Sequence, residues 1–247
     1  MTIRGDNGPR RSFDADGGED ATGAASELLM TLEKEYLPPR ELARTAVLLI
    51  DPYNDLLDSQ GKAWPAIADV AADVGLLANL KGVVEEARTS GLCIVYLPKR
   101  SVPRNGAYLT PSQRAAADAS WFVRGSWGAE WFPDLAPRAG DIIASERVAV
   151  GAFAGTDLGL QLRALDIVRL VVVGGIANEA LEATARAAVD QGFHVTLVRD
   201  ATAAANWDAM RATLEANAPH CAHQVIGTRE FYDALACARL ALRSVGR

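Results

Sequence analysis

Cysteine, histidine and methionine are scarce in this 247-residue chain, at three residues each. Cys93, Cys221 and Cys237 stand far apart and form no Cys-x-x-Cys pair, which excludes a disulfide framework and a thiolate metal knuckle. That usage is expected of a reduced, cytoplasmic protein. His194, His220 and His223 lack metal-ligand spacing, so no metal is expected. Gly174-Gly175 does not extend to Gly-x-Gly-x-x-Gly, so no dinucleotide cofactor is expected either. Long apolar runs are missing too: Ala46–Ile50 and Leu170–Val173 fall far short of the roughly 20 residues that span a bilayer. The N-terminus shows no apolar core after its charges, and no signal peptide is expected. Blocks of basic residues are absent. The 25 Lys and Arg are interspersed among 31 Asp and Glu, a net charge of -6, which argues against a nucleic-acid partner.

What is present is the composition of a folded domain. With 49% hydrophobic residues, a chain of this length buries roughly 70% or more of its unfolded surface without staples. Residues 1–24, rich in Gly, Asp and Arg, read as a disordered tail, and residues 25–247 as a single domain. A helix is expected over Ser26–Leu37, where Leu28, Leu29, Leu32, Tyr36 and Leu37 recur at helical spacing. Together with the Ala- and Leu-rich C-terminal helix, it is expected to support a homo-oligomer, a dimer or tetramer. Six short apolar runs then read as strands: Ala46–Ile50, Leu92–Leu97, Asp141–Ala144, Val168–Val173, His194–Val198 and His223–Ile226. Helical patterns are expected over Val74–Thr89, Thr156–Leu165, Glu179–Gln191, Trp207–Asn217 and Thr228–Ser244. Strands that are apolar throughout, separated by helices, imply an α/β fold: a three-layer αβα, doubly wound, six-stranded parallel sheet.

Ligands in such a sheet bind beyond the carboxyl ends of the strands. Asp51, Arg147 and Ala180 all fall at such ends, and Ala180 is expected at a helix N-terminus, where unpaired N–H groups attract anions. Between Pro98 and Gly140 lies a long irregular stretch holding Trp121, Trp127 and Trp131, expected to wall or roof the pocket.

Three motifs carry a family resemblance. Val47-Leu-Leu-Ile-Asp-Pro-Tyr-Asn-Asp55, Gly151-Ala-Phe-Ala-Gly-Thr-Asp-Leu158 and Gly174-Gly-Ile-Ala-Asn-Glu-Ala180 occur in the order in which similar segments stand in the isochorismatase-like hydrolases. The resemblance spans about residues 44–236. It implies that Asp51 is the catalytic acid/base, that Arg147 replaces the usual lysine, and that Ala180 occupies the usual nucleophilic cysteine position beside an oxyanion hole. It further implies a cis peptide near Ile176-Ala177, and substrate contacts from Asn54, Trp127, Trp131, Phe153, Ile176 and Ala177. Lys99 and Arg100 would either clamp a substrate carboxylate or form a solvated surface pair. Glu179 would be a second acid/base or a complement to its helix end.

A methyl group cannot attack a carbonyl, so Ala180 excludes the thioester route to amide or nitrile hydrolysis. A guanidinium stays protonated, so Arg147 is a poor proton shuttle. One branch of the resembled family, the isochorismatases, carries glycine at that position and cleaves a vinyl ether by protonation and water addition. Three readings stay open. The first is a hydrolase or lyase acting on a small biosynthetic metabolite by Asp acid/base catalysis. The second is a non-catalytic ligand- or partner-binding protein, and the third an engineered Cys-to-Ala variant of a C–N hydrolase.

Overall fold

The computed structural model describes residues 37–99 and 109–245. The expected tail over 1–24, nearly all of the helix expected at Ser26–Leu37, and Arg100 lie outside the described residues. Six strands, β1 (Thr45–Ile50), β2 (Cys93–Leu97), β3 (Ile142–Ile143), β4 (Arg169–Gly174), β5 (His194–Val198) and β6 (Gln224–Ile226), form one parallel sheet. Their spatial order is β3-β2-β1-β4-β5-β6. The helices are α1 (Asn54–Leu57), α2 (Ala68–Val74), α3 (Leu76–Thr89), α4 (Pro111–Asp118), α5 (Leu158–Ala164), α6 (Glu182–Asp190), α7 (Trp207–Arg211) and α8 (Thr228–Val245).

The apolar run of β1 explains the layering. Successive side chains on a strand face opposite sides, so a strand covered on both faces must be apolar at every position. All six residues of β1 are buried. Val47 and Leu49 join the core beneath α3 and α8, with Leu80, Val83, Phe231 and Leu235. Ala46, Leu48 and Ile50 join the opposite core beneath α5 and α6, with Leu158, Leu162, Ala185 and Ala188.

The structure refines several expected elements. The helix expected over Val74–Thr89 is α3, starting at Leu76, and a further helix, α2, precedes it and ends on Gly75, whose φ of 67° sits in the left-handed region. The helix expected from Glu179 begins as a π-helical turn, Ala177–Leu181, before α6. The long stretch after β2 is not wholly irregular, because it contains α4. Its signal is Thr110-Pro-Ser-Gln113, a capping box in which Thr110 Oγ1 accepts from Gln113 N and Gln113 Oε1 accepts from Thr110 N. No helix among the described residues is long and apolar enough to cross a membrane.

Strand order reverses between β1 and β4, and this is where a crevice opens at the carboxyl ends. The two strand ends fit closely only because β4 is followed by glycines. A Cβ at Gly174 would stand 2.6 Å from the Ile50 carbonyl oxygen, and one at Gly175 would stand 2.7 Å from Ile50 Cγ2. Gly175 N–H donates to Ile50 O at 2.8 Å, locking the ends together.

Candidate active site

Asp51 is the first residue beyond β1 and takes a left-handed φ of 50°, uncommon outside glycine. That backbone turn places its carboxylate in the crevice. Oδ2 accepts from Arg147 Nη2 at 2.6 Å, and both side chains are buried. Arg147 reaches this point because its backbone continues the β2–β3 ladder. Its N–H donates to Pro98 O at 2.9 Å, and Arg147 pairs with Lys99 in parallel register. Its Nη1 donates to Ala149 O at 3.1 Å. Asp51 Oδ1 is buried, and no donor among the described residues reaches it.

A cavity of about 60 Å³ is lined by Asp51, Lys99, Ile176, Glu179 and Ala180, with Leu56, Ala115, Ala116, Trp121 and Phe122 closing it. Burial holds the Lys99 ammonium below its ordinary pKa. Asp51 pulls the other way, Arg147 adds to the lowering, and Glu179 opposes it. Lys99 Nζ lies 5.7 Å from the Phe122 ring centroid. Its backbone N–H donates to the Tyr53 hydroxyl at 3.2 Å. Burial, seconded by the Asp51 charge, pushes that phenol well above its usual range.

The roof is aromatic, but not through the residues expected. Trp127 is 47% exposed, and only its carbonyl takes part, accepting from Asn54 Nδ2 at 3.0 Å. Trp131 stacks on Tyr53 with centroids 4.9 Å apart and meets Tyr96 edge-on, beneath the cavity rather than in it. Phe153 packs on Phe193 at 5.9 Å in the opposite core. Asn54 spends its amide on Trp127, and Ala177 is fully buried with its N–H on Ala203 O, so neither side chain lines the cavity. Trp121 and Phe122 form the roof instead.

Asp55 orders the turn after β1 and ties that roof to it. Its buried carboxylate accepts from Phe122 N at 2.7 Å and from Lys62 N at 3.1 Å. Gly128 packs flush on the same carboxylate, where any Cβ would collide with it. The turn after β1 therefore positions both the pocket acid and the pocket roof. The signal was present in the Asn54-Asp55 pair beside the strand end, but the partners lie far along the chain.

The anion-binding turn also departs from expectation. No cis peptide occurs among the described residues, and Ile176 is extended, in a bridge with Ala203. The N–H groups of Glu179 and Leu181 turn back to Ile176 O, at 3.1 and 3.3 Å, rather than into the cavity. None of the cysteines lines the cavity, and burial raises the thiol pKa of both Cys93 and Cys221. Thr184 is committed to structure, since Oγ1 accepts from Ala152 N at 3.0 Å.

A doubly wound parallel sheet with a buried carboxylate at its switch point defines a three-layer α/β protein with a crevice at the strand ends. Comparison with known proteins makes this specific. The family model described as Isochorismatase domain matches residues 45–230, and the chain belongs to that family. It is 26% identical over 174 residues to the ureidoacrylate amidohydrolase RutB of Rhizobium rhizogenes, covering 65% of this chain and 70% of that one. The cysteine hydrolase from Pseudomonas syringae pv. phaseolicola shares the fold with a TM-score of 0.68 at 24% identity, over 80% of this chain and 94% of that one. N-carbamoylsarcosine amidase from Thermoplasma acidophilum gives a TM-score of 0.59 at 26% identity, over 75% and 96% of the two chains.

Proposed function

We propose that this member of the isochorismatase family hydrolyses a small metabolite by proton transfer through Asp51, with no covalent step through sulfur. The observation that carries the reading is the asymmetry of the Asp51 carboxylate. One oxygen is anchored by Arg147, while the other is buried and meets no donor among the described residues. A buried charged oxygen without a partner is costly, and a proton-bearing substrate supplies the missing contact. Arg147 orients the carboxylate, while Lys99, Ile176, Ala180 and the Phe122 ring contact substrate. Ala180 stands where the family's nucleophile would, and its methyl leaves room for substrate beside the glycine turn.

The bond broken follows from this. Without a thiolate, an amide gains no acyl-enzyme path, whereas an enol ether needs only carbon protonation and water. The test is a panel containing isochorismate as the vinyl ether and ureidoacrylate and N-carbamoylsarcosine as the amides. Turnover of the vinyl ether with the amides untouched is expected. Amide turnover matching that of a cysteine-bearing relative would overturn the assignment. A second reading, ligand binding without turnover, is favoured by the same 2.6 Å ion pair, which holds Asp51 away from free rotation. Binding of panel compounds with no product from any of them would decide for it.

A further inference from the structure

Among the ten residues lining the cavity, Lys99 alone carries an amine, the group that condenses with a carbonyl carbon. Its surroundings are unusual for a lysine. No salt bridge or side-chain hydrogen bond reaches its ammonium among the described residues, and its ring contact is with Phe122. It stands in register beside Arg147, so two cations share one face of the β2–β3 edge. Arg147 is neutralised by Asp51, and Glu179 in the same cavity is bound to no cation among the described residues.

The geometry points to Lys99 as an amine nucleophile that condenses with a small neutral aldehyde or ketone to a Schiff base at the switch-point cavity. A small carbonyl compound without further charged groups is the simplest ligand for a cavity of about 60 Å³. In the step, the Lys99 ammonium gives one proton to Glu179. Its nitrogen pair attacks the carbonyl carbon as the C=O π pair moves to oxygen, and one of the two protons left on nitrogen passes to that oxygen, giving a neutral carbinolamine. Return of the Glu179 proton to the hydroxyl expels water as the nitrogen pair closes C=N, leaving a protonated imine. The net change is carbonyl plus ammonium to protonated imine plus water, with no oxidant or reductant. A lysine desolvated beside another cation is a known means of making a nucleophilic amine, and the lowered pKa of Lys99 agrees with it. Asp51, Arg147, Glu179 and Tyr53 are the titratable groups that act on it from the strand ends and turns around it.

This inference stands apart from the hydrolytic reading. The full chain is incubated with propanal and sodium cyanoborohydride at neutral pH, and peptide mass mapping follows propylation of each lysine. Lys99 is expected to be trapped several-fold faster than the exposed Lys62, and Glu179→Gln is expected to slow the trapping. Lys99→Met removes the site-specific adduct while the melting temperature reports folding. Trapping at Lys99 no faster than at Lys62 and Lys81 would overturn the proposal. Asp51→Asn separates the two claims, since it is expected to end hydrolysis and to retain the adduct.

Discussion

Arg147 heads the largest fully buried side chains of the described residues, and its balancing charge is the Asp51 carboxylate. Removing one partner of a buried pair strands the other charge, at about 3–5 kcal/mol. Arg147→Met is therefore expected to lower unfolding free energy by about that amount in urea titration, and Arg147→Lys by less. His194 offers a second residue-scale check. Burial, followed by the Arg169 charge and His223, lowers its pKa from 6.5 to about 4, and it stacks on His223 at 4.3 Å. The unfolded chain thus binds more protons between those values. Stability from this group is complete above pH 6.5 and is lost as pH falls toward 4. Melting temperature should drop more steeply across that window in the wild type than in His194→Gln. Strand-end position brought Asp51, Lys99 and Ala180 forward and the family resemblance added Ile176 and Glu179, and all five line one cavity. Neither could tell which aromatics turn inward: Trp131 is held by Tyr53 and Phe122 by Asp55, pairings that no local pattern encodes.

At the scale of elements, α1 acts as a clasp. Asn54 and Asp55 hold the segment after α4 through Trp127 O and Phe122 N, and Glu130 O accepts from Asn54 N at 3.0 Å. Phe132 N donates to Pro52 O at 2.8 Å, closing the same strap. Asp55→Ala leaves the buried Phe122 N–H unpaired, a cost of roughly 1–3 kcal/mol, and releases the Lys62 N–H to solvent. Hydrogen exchange over residues 121–132 should accelerate in that variant while the amides of β1 and β4 stay protected. Unchanged protection over 121–132 would show that the roof is held by aromatic stacking alone. Element boundaries were readable wherever period and punctuation agreed, as for β5. They were less readable where one helix type passes into another: the π-helical turns at Ala177–Leu181 and Ala212–Asn217 leave no mark in hydrophobic spacing.

For the whole molecule, the parallel sheet and its two covering layers could be derived from strands that are apolar at every position. The order β3-β2-β1-β4-β5-β6 could not be derived that way, since periodicity is silent on which strands are neighbours. It matters because the reversal at β1 and β4 is what brings Asp51, from the first quarter of the chain, into one cavity with Ala180. The account's central claim is that this junction does its chemistry through a carboxylate and not a thiol. Steady-state hydrolysis of isochorismate by wild type, by Asp51→Asn, and by wild type treated in the folded state with a thiol-alkylating reagent tests it most directly. Asp51→Asn is expected to lose about 10²- to 10⁴-fold in kcat with its fold retained, and alkylation to cost nothing. Full turnover in Asp51→Asn, or loss of turnover on alkylation, would contradict the account.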